Sequence, residues 1–247
     1  TAFWSSFTAA RHLLPDAAED AEAFGRALLA LLARLNAGPA GRRPVLLPME
    51  DATLTWVVHH RAEVQALADV LLPPDEAYAA LADKAATMGL AARVGVPHPS
   101  SVTAASVDEL MEAAREMAPA EFIVKPSHGA GSRGLLYNPV MDEVEAAAYL
   151  AKHGTAVVQE RVPAEGDAVG VSLLFDAHGA VAAHFVHKRL RQFPNSGGPS
   201  TDRVGIAHPQ LLELSVTLLR AVHWRGVAMV EWKLDPRTGE QIGRAHV

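Results

Sequence analysis

The sequence predicts a mixed α/β protein, and three observations carry that expectation. Apolar residues recur at helical spacing over several long segments, of which residues 16–35 are the clearest. Short β-type runs, such as residues 122–124 and 156–160, lie between those segments. A glycine-rich stretch over residues 122–136 reads as strand, loop and second strand.

Taken in order, residues 1–15 give no clear element. Residues 16–35 read as a helix: Asp16 suits an N-cap, and Phe24, Leu28, Leu31, Leu32 and Leu35 share one face. Residues 44–47, Pro-Val-Leu-Leu, read as a buried strand, and residues 54–69 return as a helix. Helix, strand, helix is a fragment of a doubly wound layer with parallel pairing. Leu72-Pro73-Pro74 marks a linker. Residues 75–94 are predicted helical with Asp83 and Lys84 inside, and the prolines of residues 95–99 then force extended chain. Ser106 with Glu109 three residues on is a capping box for a helix to Met117. Residues 142–152 form a further helix and 156–160 a strand. Residues 169–175 and 180–186 form a hairpin about the turn at 176–179. Residues 209–224 are an apolar helix and 227–233 a strand. The turn at 235–239 calls for another strand after it.

With 49% apolar and 20% charged residues, the 247-residue chain can bury a core, and it suits one large domain or two small ones. The net charge of −6 argues against nucleic acid as the main partner. The lack of cysteine excludes disulfides, thiolate metal sites and a cysteine nucleophile, and it fits a cytoplasmic protein. No apolar run reaches the roughly 18 residues of a membrane span. His59 and His60 are adjacent, so on a helix they do not share a face for a metal.

Lys125 ends the β-type run and is followed by Gly129, Ala130, Gly131, Ser132 and Gly134. A lysine beside a glycine-rich loop can hold phosphate, because backbone N–H groups approach an anion closely where no Cβ intervenes. The same residues also suit a tight hairpin with an exposed lysine. The loop is not a Walker A sequence, since no Gly-Lys-Ser/Thr opens a helix after it. Lys188, Arg189 and Arg191 follow a strand and precede a Gly-Gly-Pro-Ser loop; they are a cationic cluster suited to phosphate. Neighbouring strand residues alternate faces, so Lys188 and Arg189 are expected to diverge. Glu231 lies in an apolar strand and needs a cation, with a metal ion or Lys233 as the alternatives.

Asp83-Lys84, the Gly95-Val-Pro-His-Pro99 turn, Phe122–Pro126 with Gly129–Gly134, Val157–Glu160, Lys188–Arg191 with Gly197–Ser200, and Gly226–Lys233 stand in an order that resembles the ATP-grasp superfamily. The likeness is to its carboxylate–amine ligases and predicted ATP-dependent carboligases. It implies an α+β fold, in which a partial pre-ATP-grasp α/β layer precedes two α+β subdomains that clamp ATP. The implied boundaries are residues 1–76, a lid subdomain 77–160 and an incomplete large subdomain 161–241. Residues 242–247 look like a translated adapter and are set aside as a scar, so the chain is expected to be truncated at both ends.

The resemblance implies ATP and Mg²⁺ as cofactors, with a small carboxylate and an amine as substrates. It implies no nucleic-acid partner and leaves a homodimer open. Lys84, Lys125, Ser127, Gly129, Ala130, Gly131 and Ser132 would meet the phosphates. Gln159, Glu160 and the backbone at Val162 would read the adenine. Glu165 or Asp167 would meet the ribose, the register there being shifted because Pro163-Ala164 stands where the family has Pro-Gly. Lys188, Arg189 and Arg191 would serve the transferred phosphoryl group, and Glu231 would ligate magnesium. The family's second pair of metal ligands, a Glu and an Asn on the next strand, is missing from residues 242–247. Alternatives on the same fold are an enzyme acting on bicarbonate and a nucleotide-binding module, or inactive fragment, without turnover.

Overall fold

The computed structural model describes residues 5–38, 43–118, 120–128, 134–163, 166–193, 200–236 and 241–246, the last of these by backbone alone. The chain divides into two compact units, residues 1–70 and 71–247.

The first unit is helical. Helix α1 (Ala21–Asn36) buries Phe24, Leu28 and Leu32. Its N-cap is Asp20 rather than Asp16: Asp20 accepts from the Ala23 N–H, while Asp16 builds a turn just before the helix. The expected helix over 54–69 is two shorter ones, α2 (Asp51–His59) and α3 (Arg61–Leu67), broken at His60. Trp56 packs edge-on to Phe24 and stacks on His60. A Cβ at Gly25 would fall 2.1 Å from Trp56 Cζ2, so only glycine lets the two helices approach this closely.

The expected buried strand over 44–47 is not one. A single parallel bridge joins Val45 to Asp69, and Val45 and Leu47 are 70% and 65% exposed. Among the described residues no strand lies beside this segment to cover its side chains, which is why an apolar run stays on the surface.

The second unit holds two sheets. The smaller has the order β1-β4-β2-β3, built from β1 (Ser101–Ala104), β2 (Phe122–Pro126), β3 (Leu136–Tyr137) and β4 (Ala156–Glu160), all antiparallel. Helices α6 (Val107–Met117) and α7 (Glu143–His153) back it, and both open on full capping boxes, Ser106/Glu109 and Asp142/Glu145. Leu110, Ala113, Ala146 and Tyr149 pack on Phe122, Val124 and Val158.

The larger sheet has the order β7-β6-β5-β8-β9, also antiparallel throughout. Its strands are β5 (Ala168–Phe175), β6 (Val181–Gln192), β7 (Ser200–Gly205), β8 (Gly226–Leu234) and β9 (Gln241–His246). Strand β6 runs beyond the expected 180–186 and carries the cationic cluster within it, because β7 pairs with that end. The residues set aside as a scar supply most of β9, the strand called for after the 235–239 turn, paired with β8.

One face of the larger sheet is apolar. Val169, Val171, Leu173, Phe175, Val230 and Trp232 meet Leu211, Leu218 and Leu219 of helix α8 (Pro209–Arg220). Helix α8 stops at Arg220, short of the expected residue 224, and His223 turns the chain at φ 55°. Helices α4 (Asp75–Ala82) and α5 (Lys84–Arg93) complete this core through Ala77, Leu81, Leu90 and Ala91. They replace the single helix expected over 75–94, because Asp83 leaves helical geometry to cap α5.

Candidate functional site

Strand β2 delivers Lys125 to the interior. The side chain is 4% exposed, and its ammonium donates to Gln159 Oε1 on β4. Lys125 stands opposite Val157, so Gln159 is its diagonal neighbour on the same face of the sheet. A buried ammonium must be hydrogen-bonded, and the Gln159 amide oxygen is one of the groups that meet it.

The end of β2 is tied to the start of α5. Ser127 Oγ donates to Asp83 Oδ2 at 2.8 Å, and Lys84 donates to the Ser127 carbonyl through both its backbone N–H and its Nζ. Asp83 also accepts from the Ala86 N–H as the N-cap and lies 3.2 Å from His128 Nδ1. Burial pushes the Asp83 pKa up, but the bonds from Ala86, Ser127 and Ala85 and the nearby His128 outweigh it and hold the value below 3.8.

A depressed carboxylate stabilises the fold above its unfolded pKa, and that contribution is lost as pH falls through the folded value. Asp83→Asn is therefore expected to lower the melting temperature at pH 7, with the gap from wild type closing below pH ~4. A gap that stays constant over that acid range would overturn the assignment.

Residues 160–167 run from the smaller sheet to the larger. The Glu160 carboxylate accepts from the Ser100 N–H at 3.2 Å, and Arg161 pairs with Glu121 while lying over the Tyr137 ring. Lys233 on β8 reaches the Val162 carbonyl at 3.5 Å. Asp167 forms an ion pair with Lys188 at 2.7 Å.

Strand β6 splits its cations between the two faces of the larger sheet. Lys188 pairs in register with Val169, on the face that packs against α8. Arg189 points to the opposite face, where its Nη2 meets Glu231 Oε1 on β8; the two side chains are 19% and 20% exposed. Gly170 lies between the strands, opposite His187 on one side and Glu231 on the other. The His187 ring leans over it so closely that a Cβ there would be 2.5 Å from the imidazole. His187 is 2% exposed, and its Nδ1 is buried with no hydrogen-bond partner among the described residues. Burial first, then the charges of Arg203 and Arg189, push its pKa down and keep the ring neutral. Arg191 is exposed, beside a bulge where β6 meets β7.

Two groups thus emerge: Lys125, Gln159, Ser127, Lys84 and Asp83 around the end of β2, and Arg189, Glu231 and His187 on one face of the larger sheet. Gly129, Ala130, Gly131, Ser132 and Glu165 lie outside the described residues. Tyr149 donates its hydroxyl to the Gly134 carbonyl at 2.7 Å, and burial raises the Tyr149 pKa to about 12. Sequence reasoning passed over His187 as a site residue and Asp83 as the partner of Ser127. The signal for His187 was a histidine two residues from Arg189 on a strand, hence on the same face. Among the described residues no three acid or histidine side chains gather as a metal site, and no helix is long and apolar enough to cross a membrane.

No known protein-family pattern matches the chain, and no curated protein does. Solved structures share its fold. A biotin carboxylase–β,γ-ATP complex from Campylobacter jejuni aligns over 92% of this chain with a TM-score of 0.69 and 16% identity. The ADP complex of purK, an N5-carboxyaminoimidazole ribonucleotide synthetase, aligns over 88% with a TM-score of 0.62 and 15% identity. A D-alanine–D-alanine ligase from Coxiella burnetii aligns over 76% with a TM-score of 0.57 and 16% identity. The alignments cover 52%, 55% and 54% of those chains, so this chain spans about half their length.

Proposed function

From the ATP-grasp fold that this chain has, we propose that it is the core of an ATP-dependent ligase that activates a carboxylate and joins it to an amine or similar nucleophile. The observation that carries this is Lys125, a buried cation at a strand end, held by the neutral Gln159. In the proposed reaction a substrate carboxylate oxygen attacks the γ-phosphorus of ATP. The bond to the ADP oxygen breaks, and an acyl phosphate forms. The amine nitrogen then attacks the acyl carbon, phosphate leaves with the C–O electron pair, and the amine proton passes to solvent. Such transfers depend on positioning and charge neutralisation, and no side-chain nucleophile is needed.

In this proposal Lys125 and Lys84 neutralise the nucleotide phosphates, with Ser127 and the backbone of residues 129–132 completing the cradle. Gln159, Glu160 and Val162 line the adenine, and Asp167 or Glu165 meets the ribose. Arg189 is the cation facing the transferred phosphoryl group. Arg191 stands further along β6, and Lys188 holds Asp167 in place through their ion pair.

Magnesium fits this residue set in one way. Glu231 is a single carboxylate, and one carboxylate with phosphate oxygens and water suffices for an ion that arrives on a nucleotide. An ion held by protein groups alone would need more donors than the described residues bring together. When bound, the ion would neutralise charge on the transferring phosphoryl group.

A second reading, a nucleotide-binding module without turnover, draws support from β9. Gln241–His246 contains no carboxylate, and Arg244 stands in register opposite Glu231. ADP release measured with a panel of carboxylates and amines separates the two. Turnover above background with one pair supports the ligase. ADP binding with no turnover across the panel supports the module, and absence of any nucleotide binding overturns both.

A further inference from the structure

The face of the larger sheet that turns away from α8 carries two arginines and, beside them, an exposed aromatic ring. Phe185, His187 and Arg189 alternate onto this face from β6, and Arg203 and Gly205 meet them from β7. Arg189 and Arg203 are register partners, so two like charges stand directly opposite, which costs stability. Arg189 meets Glu231 on its other side. Arg203 is exposed and forms no ion pair among the described residues.

Phe185 is 52% exposed, yet its ring is held in place. It stacks on His187, with centroids 5.7 Å apart and 19° between the planes. It also reaches across to β7: a Cβ at Gly205 would stand 3.2 Å from Phe185 Cε2, so the glycine gives the ring edge its room. Arg203 is the next residue of β7 on that face, roughly 7 Å along the strand from Gly205. His187 is buried and neutral, so it adds no charge between ring and guanidinium.

A guanidinium and an exposed ring at that spacing match a carboxylate joined to an apolar body. The guanidinium offers paired N–H donors to the two carboxylate oxygens. The ring gains by covering apolar surface, most of all with another aromatic group. A second carboxylate on the same molecule would meet Phe185 where it needs a cation.

We propose that Arg203 and Phe185 form the subsite for the carboxylate substrate, and that this substrate is a monocarboxylic acid with an apolar, preferably aromatic, body. The inference rests on the ligase reading above, in which Arg189 faces the transferred phosphoryl group. Arg203 stands opposite Arg189, so an acid held there presents an oxygen to the γ-phosphorus, and nothing in the arrangement requires Arg189 to leave Glu231.

The probes are hydrocinnamate, its uncharged alcohol and acetate, titrated by calorimetry into the full chain with ADP and Mg²⁺ present. Hydrocinnamate is expected to bind about tenfold tighter than either, since the alcohol lacks the charge-assisted bond and acetate lacks the ring. Arg203→Gln is expected to bring hydrocinnamate down to the affinity of the alcohol, and Phe185→Ala to bring it down to that of acetate. Hydrocinnamate that binds wild type no tighter than its alcohol or than acetate overturns the subsite without recourse to a variant. Unchanged hydrocinnamate binding in Arg203→Gln or Phe185→Ala overturns it as well. Trapping with hydroxylamine tests the ligase reading separately, because with ATP and Mg²⁺ an acyl phosphate yields a hydroxamate whatever amine the protein normally uses. Hydroxamate formed from hydrocinnamate in preference to acetate and succinate supports the proposal. The opposite preference overturns the subsite and leaves the ligase reading standing. The expected binding pattern with no hydroxamate from any acid overturns the ligase reading and the substrate role with it, and leaves Arg203 and Phe185 as a site for apolar acids.

Discussion

Lys125→Ala is expected to weaken ADP binding by roughly 10- to 150-fold, the equivalent of one charge-assisted hydrogen bond of about 1.5–3 kcal/mol. The size follows from where the lysine sits. Its ammonium is already desolvated in the free protein, so a phosphate meeting it gains in a low-dielectric setting without first stripping water from the cation. Truncation also leaves Gln159 Oε1 without the donor it now has. Lys125→Met fills the space without the charge and separates packing from electrostatics; it is expected to bind ADP as poorly as the alanine variant while melting closer to wild type. Calorimetric titration of both variants is the check. Wild-type affinity in Lys125→Met would remove Lys125 from the phosphate site.

Trp232→Ala is expected to destabilise the second unit by about 3–5 kcal/mol, lowering its melting temperature by roughly 6–20 °C. Trp232 is 2% exposed and sits among the β5, β8 and α8 side chains. Its Nε1–H donates to Ser215 Oγ at 2.9 Å, and the Ser215 hydroxyl donates in turn to the Leu211 carbonyl at 2.7 Å. Truncation opens a large cavity and cuts the only strand-to-helix side-chain bond in that chain of donors. Trp232→Phe keeps most of the volume and leaves the Ser215 bond to Leu211 intact, so it is expected to cost less than half as much. Thermal unfolding followed at the second unit's transition decides; a loss under about 1 kcal/mol for the alanine variant would mean that the core closes over the gap. Glu231 is the next residue along β8, so this packing also sets how firmly the carboxylate faces Arg189.

Some of this was legible in the chain because the signals are local. The Ser106/Glu109 capping box involves residues three apart, and the 176–179 turn needs only a glycine at φ 84° and an aspartate that accepts from its neighbours. The divergence of Lys188 and Arg189 followed from strand alternation alone. What was not legible depends on distant partners. Asp83 caps α5, and the Ser127 hydroxyl that donates to its carboxylate stands 44 positions away. Strand β7 was missed because its exposed polar residues carry no alternation, and only pairing with the extended β6 defines it. Sequence pattern offered Glu231 a cation but not which one; Lys233 lies nearer along the chain, yet the Arg189 contact comes from a strand two places across the sheet. The 44–47 run shows the reverse failure, a strand-like pattern with no sheet beside it.

The joint between β2 and α5 has a consequence for motion. Asp83 spends one carboxylate on the first turn of a helix and on the strand end that follows Lys125, and Lys84 returns two bonds to the same serine. Local opening cannot release one without loosening the other. Fraying of α5 at its N-terminus and lifting of Ser127 at the end of β2 are therefore a single cooperative event, so amide protons at Lys84, Ala86 and Ser127 share one opening step.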